Sequence, residues 1–519
     1  MRNIIQVRLQ NFKRFDEFVI DFKPDVNVLI GDNETGKSSI LLAIDLVLSG
    51  SRTKVENIGL QSLFNSEAVA TFLSGKKLVG DLPELIVDVY LTEQENYELN
   101  GKVNLREVSC DGMRMVCKPD PDYGQEILSV LRQERPNFPF EFYQVHFQTF
   151  DGRAYSSHRN YVNHVFIDNS QINNEYAMRE YIRSVYRINA SGSEKNLHQN
   201  EYRRYKSDFK SNVLKDINKR LPDFAFAVKS GIKDSLETDL TLMEGDISID
   251  NKGKGRQCFI KTKFALGRAN EKMDIVLLEE PENHLSHHHM KLLIDMIRAA
   301  KQIQLFITTH NTLVSTRLDL RRSILIHVNS KQPMLLEHLR EETAKFFIKA
   351  PDNNVVEYIL SQKVILVEGD AEYMLMSEFY EEVTKSTLDA DLVHVISVGG
   401  ISFKRYLDVA KILGIKTAVI RDNDGDYDTH CVDNYSEYPD PYLRIFGEKD
   451  NTLRTFEYIL YTMNKSICDE LFSTKRKKLT VLEYMLCQKS ETAYQLIEQK
   501  PGQIKTPGYI KEAIEWLRL

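Results

Sequence analysis

The sequence is short of paired cysteines, of excess basic charge, of long apolar runs and of internal repeats, and each shortage removes a class of protein. Its 519 residues hold six cysteines, at 110, 117, 258, 431, 468 and 487. None forms a Cys-x-x-Cys pair or a Cys/His spacing of the zinc-binding kind, so they read as ordinary reduced thiols. Lys plus Arg number 68 against 75 Asp plus Glu, a net charge of −7. That balance argues against a uniformly basic, phosphate-binding surface, but it is compatible with a local basic channel. The longest apolar stretch near the N-terminus, Ile40 to Leu48, is interrupted by Asp45 and falls far short of the roughly 18 residues of a bilayer span. Met1-Arg-Asn-Ile-Ile-Gln puts charge and polarity where a signal peptide carries its apolar core, so a cytoplasmic protein without membrane contact is expected. No fixed-period repeat or low-complexity tract stands out.

What is present is an ordinary globular composition, with 42% hydrophobic and 28% charged residues. At about 100–200 residues per domain the length suggests about three domains. The chain reads as α/β throughout. Strand patterns occur at Ile4–Leu9, Val26–Ile30, Asp274–Leu278, Gln304–Thr308, Lys363–Val367, Leu392–Val398 and Lys416–Ile420. Most are followed by polar stretches, the rhythm of parallel βα units. Between about 166 and 230 the sequence turns polar and helix-compatible, with Arg203, Arg204, Lys206 and further basic residues, which reads as an insertion. The organisation expected is an N-terminal domain in two parts, 1–165 and 231–345, split by the helical insertion 166–230, then a second α/β domain over 346–519.

Gly31-Asp-Asn-Glu-Thr-Gly36-Lys37-Ser38-Ser39 matches the P-loop pattern, with a strand before it and a helix-compatible run after it. Its glycines let backbone N–H groups wrap phosphates, Lys37 supplies a point charge, and Ser38 can ligate Mg²⁺. Gly31, Asn33, Gly36, Lys37, Ser38 and Ser39 are therefore the candidate ATP-binding residues. The apolar run 275–278 ends in Glu279-Glu280-Pro281-Glu282, which delivers acids to a sheet edge. Glu279 is the candidate support for Mg²⁺ and Glu280 the candidate that polarises water. A solvated acidic loop is the bland alternative. His310, at the end of Phe306-Ile-Thr-Thr-His310, is a candidate γ-phosphate sensor. His284 and His287–His289 suggest metal, but three consecutive residues point in different directions around a helix, so a polar helix start is expected there.

In the second domain Glu368-Gly369-Asp370-Ala371-Glu372 follows one apolar strand and Asp422-Asn-Asp424-Gly-Asp426 another. Parallel neighbours would bring these acids to one crevice, an oxygen-rich site suited to Mg²⁺ or Mn²⁺. An EF-hand is excluded at 422–433, since Tyr427 stands at the glycine position and Asp433 at the bidentate glutamate position. Unrelated acidic turns are the other alternative.

Asn11-Phe12-x-x-Phe15, the P-loop, the acid-ending run and His310 together resemble the ABC-type ATPases of the SMC-like group. That resemblance implies nucleotide held between two protomers, with a signature loop for which 252–257 (Lys-Gly-Lys-Gly-Arg-Gln) is the candidate; it departs from Leu-Ser-Gly-Gly-Gln. The acids of the second domain resemble the TOPRIM fold. An SMC-like ATPase followed by TOPRIM resembles the OLD (overcoming lysogenization defect) family of endonucleases. The resemblance implies metal-dependent cleavage of DNA in anti-phage defence, with Glu368, Glu372, Asp422 and Asp424 as catalytic metal ligands. Asp426 and Glu457 are added ligands, and Lys489 neutralises transition-state charge. It implies a homodimer or higher homo-oligomer built through the insertion, and a helicase or a retron reverse transcriptase with its msDNA as partner. The rival reading is an ATP-dependent nucleic-acid sensor or scaffold whose TOPRIM domain does not cut. Topoisomerase chemistry needs a tyrosine nucleophile that 24 tyrosines do not single out. Arg203, Arg204, Lys206 and Lys475–Lys478 are candidate phosphate contacts, although charge runs are usually solvated faces.

Overall fold

Alternation of apolar and polar residues at the N-terminus becomes β1 (Ile4–Phe12), which pairs antiparallel with β2 (Phe15–Asp21) and β4 (Leu85–Leu91). The computed structural model describes residues 2–519 apart from 94–95, 158, 160, 169–174, 222, 230–235, 267–272, 301–302, 328–331, 351–353, 400–401 and 474–478. The chain divides into two compact units, Met1–His310 with Ile324–Pro333, and Asn311–Ser323 with Met334–Leu519. The sequence placed the border at 345/346; the helix Glu341–Lys349 packs with the second unit. Among the described residues no helix is long and apolar enough to cross a membrane.

In the first unit the antiparallel sheet continues from β4 to β6 (Cys110–Pro119), which also pairs with the short β5 (Asn100–Gly101) and with β7 (Tyr143–Thr149). A second sheet holds the nucleotide machinery. There β3 (Val26–Ile30) pairs in parallel with β12 (Gln304–Thr309), β12 with β11 (Ile275–Glu279), and β11 with β8 (His164–Asp168). Every residue of β3, β11 and β12 is buried, as expected of parallel strands covered on both faces, and this is why they read as unbroken apolar runs. A hairpin of β9 (Met243–Glu244) and β10 (Ile247–Ser248) lies between, and β13 (Ser323–Leu325) and β14 (Met334–Leu335) follow.

The Asp45 that interrupts the apolar run lies inside the helix Lys37–Ser49. Although burial disfavours its charge, Lys54 and His164 beside it hold its carboxyl down at about 2. Phe166–Asp168, assigned by sequence to the insertion, complete β8 instead, because Val165 and Ile167 bury themselves in the sheet. The polar region proper contributes the helices Glu175–Asn189 and Gly192–Asp208. Ser191 opens the latter through a reciprocal capping box with Glu194.

The second unit is a four-stranded parallel sheet, ordered β16 (Val393–Ser397), β15 (Lys363–Val367), β17 (Lys416–Ile420), β18 (Leu443–Phe446). Helices Asp370–Thr384 and Phe403–Leu413 link the first three strands. After β18 comes a helical block whose last two members, Lys489–Gln499 and Gly508–Arg518, pack on the helix Asp370–Thr384. Phe379, Phe456, Phe472, Met485 and Ile510 are fully buried there, which fixes the helix starts that carry Glu372, Glu457 and Lys489 at the carboxyl edge of the sheet.

Candidate functional site

In the first unit, β3 hands the chain to the glycine-rich loop and then to the helix Lys37–Ser49. Gly36 adopts φ 98°, and a Cβ there would lie 2.5 Å from the Phe15 ring, so the loop conformation requires glycine. The Lys37 ammonium is buried and donates to the Gly31 carbonyl oxygen at 2.6 Å and to that of Asp32 at 2.7 Å. Burial lowers its pKa, against the opposing pull of Glu280, Asp32, Glu279 and Glu282. Lysine and acids, far apart in sequence, therefore share one electrostatic site. Asn33 is exposed on the loop, and Ser39 is half-buried in the first turn of the helix that follows.

β11 delivers the acids. Glu279 is hydrogen-bonded by Ser38 and is pushed up to about 7 by its burial and by Asp168, its ladder neighbour on β8. Glu280 takes φ 44° and its N–H donates to the Thr308 carbonyl at 3.0 Å. A non-glycine residue in that region is strained, and the sheet edge holds it there. Its Oε2 lies 2.6 Å from His310 Nδ1. Glu282, buried, accepts from the Thr309 hydroxyl, and its carboxyl lies close to that of Glu280. Burial, ahead of the Glu280 charge, pushes Glu282 up to about 7. Ligand atoms of Glu280, Glu282 and His310 all fall within 4.8 Å of one another.

The candidate signature segment opens the helix Lys254–Leu266. Lys252 and Arg256 pair with Glu244 at 2.7 Å and 2.6 Å. A Cβ on Gly255 would sit 2.1 Å from the His284 carbonyl oxygen, so this helix rests directly on the backbone that follows the acids. Gly255→Ala is expected to destabilise the fold by about 1–3 kcal/mol through overpacking. Denaturant unfolding checks this, and an unchanged midpoint would count against the close approach. The histidine run behaves as a polar helix start: Ser286 caps the helix His287–Ala299, and His289 packs on Phe259 with ring centroids 5.1 Å apart.

In the second unit Glu368 follows β15, Glu372 lies in the first turn of the next helix and Asp422 follows β17. Asp422 Oδ1 accepts the Phe456 N–H at 2.9 Å. Burial, followed by Glu372, Glu368 and Glu457, pushes Asp422 up to about 8; burial, followed by Glu457 and Glu368, pushes Glu372 up to about 7. Glu457, 2% exposed, accepts from the Thr455 hydroxyl at 2.7 Å and from Lys489 Nζ at 2.8 Å. Burial works against the Lys489 charge, but Glu457, Asp422 and Glu372 hold its pKa raised. Five candidates thus meet: Glu368, Glu372, Asp422, Glu457 and Lys489.

Asp424 takes φ 48° and pairs at 3.1 Å with Arg421, which also pairs with Glu368. Asp426 is turned aside. Gly425 at φ 89° redirects the chain, and the exposed Asp426 carboxylate accepts from Thr429 N and Oγ1, at 3.2 Å and 2.7 Å, which lowers its pKa. Asp426, a ligand candidate by sequence, thus faces Thr429 in this structure.

The raised acids set a pH dependence. A carboxyl whose folded pKa lies above its unfolded value binds more protons folded than unfolded, so stability falls as pH rises between the two values. For Asp422 that window runs from about 4, the unfolded value, to about 8. Without metal, the melting temperature of wild-type protein is expected to drop across this range more steeply than that of Asp422→Asn. Parallel curves in a chelator-containing buffer would contradict the buried carboxyl.

Sequence reading missed three residues near these centres and gave Glu282 no role of its own. Asp168 ends a buried strand, a signal present but unused. Arg421 stands directly before the Asp-x-Asp pair. Tyr509, on the last helix, is buried beside Asp422 and Glu372; its hydroxyl has no hydrogen-bond partner among the described residues. Of the basic candidates, Arg203 and Arg204 are exposed, while Lys206 donates to the Lys229 carbonyl at 3.0 Å and stacks on Tyr202 at 4.5 Å. Lys475–Lys478 lie outside the described residues.

Residues 3–107 match the family model of an AAA ATPase domain, and residues 359–424 match that of the overcoming lysogenization defect protein-like TOPRIM domain. The chain joins an AAA ATPase domain to an OLD-like TOPRIM domain. Among curated proteins it is 24% identical to endonuclease GajA of Bacillus cereus (strain HuB5-5), over 34% of this chain and 30% of GajA. It is 34% identical to the DNA replication and repair protein RecF of Staphylococcus carnosus (strain TM300), over 12% of this chain and 16% of RecF. Under a third of either relative's length is thus spanned. The solved C-terminal region of the Xanthomonas campestris pv. campestris OLD protein aligns at 22% identity, covering 30% of this chain and 94% of that one with a TM-score of 0.22. The ATPase match contains Gly31–Ser39 and the TOPRIM match contains Glu368, Glu372, Asp422 and Asp424. Glu279, Glu280, His310, Glu457 and Lys489 lie outside both and stand on the geometry above.

Proposed function

We propose that this protein is an ATP-regulated, divalent-metal-dependent DNA endonuclease. The observation that carries the reading is the gathering of Glu368, Glu372, Asp422 and Glu457, with Lys489, at the carboxyl edge of one parallel sheet, where ligands of open α/β folds bind. Buried carboxyls that repel one another are costly in a merely structural role, and a cation relieves them. The all-oxygen donor set fits hard Mg²⁺ or Mn²⁺. Two such ions, when bound, supply an activated water and stabilise the leaving oxygen of a phosphodiester. The chain's own contribution is to hold the acids in register, keep the site partly closed to water, and place Lys489 where it offsets charge developing in the transition state.

In the ATPase domain, Gly31, Asn33, Gly36, Lys37, Ser38 and Ser39 would cradle the nucleotide phosphates, Ser38 and Glu279 would hold Mg²⁺, and Glu280 with His310 would orient water. Likeness to an endonuclease and to a DNA replication and repair protein supports DNA as substrate; a cytoplasmic setting and a role in anti-phage defence are proposed on the OLD resemblance alone. Exposed Tyr205, Phe209, Val213 and Phe224 on the helical insertion support a homodimer or higher homo-oligomer. A helicase, or a retron reverse transcriptase with its msDNA, is the partner class we propose. The test is nicking of supercoiled plasmid with Mg²⁺ or Mn²⁺, with and without ATP, beside a Glu368→Ala preparation. Equal nicking by the variant would overturn the assignment. No cleavage of any DNA or RNA under these conditions would favour a non-cleaving sensor.

A further inference from the structure

Two cations divide the acids of the TOPRIM site between them. Lys489 bonds Glu457, whereas Arg421 spans two strand ends: Nη1 donates to Glu368 Oε2 and Nη2 lies 3.1 Å from Asp424 Oδ2. The Arg421 side chain is 14% exposed, and its backbone is fixed by an N–H to the Phe446 carbonyl at 2.9 Å. The guanidinium is therefore aimed rather than free to wander. Glu368 and Asp424 are proposed metal ligands, and a guanidinium held on Glu368 Oε2 and Asp424 Oδ2 competes with a divalent ion for the same oxygens. Arginine keeps its proton at any working pH, so it can yield the acids only by moving. A divalent ion within a few ångströms would repel it strongly in a partly desolvated site. Its planar fork, once released, matches a phosphate as well as it matches a carboxylate.

We propose that Arg421 is an exchangeable counter-cation of the nuclease site: it neutralises Glu368 and Asp424 until a divalent ion takes them, and its released guanidinium then binds a phosphate of the nucleic-acid backbone. This rests on the metal-dependent nuclease reading. It differs from a purely structural ion pair in one respect, since a structural pair leaves metal affinity unaltered when removed, whereas a competitor raises it.

The test measures Mn²⁺ binding by electron paramagnetic resonance on the full, nucleotide-free chain, for wild type, Arg421→Gln, Arg421→Lys and Asp422→Asn. Removing the guanidinium deletes two charge-assisted hydrogen bonds that compete with the ion. Arg421→Gln is therefore expected to bind Mn²⁺ about tenfold tighter, with Arg421→Lys in between. A fixed Mn²⁺ concentration should also raise its melting temperature more than that of wild type, which guards against a folding defect. Binding of a duplex oligonucleotide in Ca²⁺ should weaken several-fold and lose salt dependence. Unchanged or weaker Mn²⁺ affinity in both Arg421 variants, with a wild-type site that Asp422→Asn abolishes, overturns the counter-cation role alone. A wild type with no Mn²⁺ site sensitive to Asp422→Asn overturns the nuclease reading as well. Unchanged duplex affinity overturns the phosphate contact.

Discussion

Asp422→Asn is expected to lower the rate of plasmid nicking by about 10²–10³-fold, the scale of losing one preorganised charged group, while the metal-free protein stays folded. The amide oxygen can still accept the Phe456 N–H that the carboxylate accepts at 2.9 Å, so the start of the helix Phe456–Met463 keeps its anchor. What disappears is a buried negative charge facing Glu372, Glu368 and Glu457. Relieving that repulsion should leave the melting temperature in chelator equal to or above the wild-type value at alkaline pH, since a desolvated carboxylate without a cation is a net cost. Loss of activity together with undiminished stability separates a metal ligand from a structural acid. A variant that both unfolds and stops cutting would instead mark Asp422 as part of the scaffold. Glu457→Gln makes the contrast, because it also deprives Lys489 of its 2.8 Å partner and should cost stability.

The sheets that carry both sites were legible because parallel strands buried on both faces are apolar runs, and the residue just past each run is the one presented at the sheet edge. Glu279, Glu280, Glu368 and Asp422 were found that way, and Lys37 through the P-loop pattern. Asp168 was hidden because the polar insertion begins immediately after it, so the strand His164–Asp168 looked like the border of a helical region. Asp426 fitted the spacing of a ligand, yet Gly425 at φ 89° turns it toward Thr429, and spacing carries no record of a left-handed turn. Arg421 was concealed for a different reason. A basic residue beside an acidic pair reads as part of a solvated turn, and only the strand order β15–β17 brings it against Glu368.

Glu280→Gln is expected to reduce ATP turnover by about 10²–10⁴-fold, the range for loss of a general base, with nucleotide binding through Lys37 and the loop largely kept. Glu280 is held at φ 44°, with its carboxylate 2.6 Å from His310 and close to Glu282. Burial raises both carboxyls, so the pair is expected to hold one shared proton above the pH at which free glutamates ionise, and the base forms as that proton leaves. Wild-type turnover should therefore climb with pH through about 7, the value to which Glu282 is pushed. Glu282→Gln supplies the control. Its amide can donate to Glu280 without competing for the proton, so the rising limb should move to lower pH while its plateau changes less than in Glu280→Gln. Steady-state ATPase rates across the pH range decide the matter: a Glu280→Gln enzyme that keeps more than about a tenth of wild-type turnover would remove Glu280 from the chemistry, and an unmoved limb in Glu282→Gln would remove the shared proton.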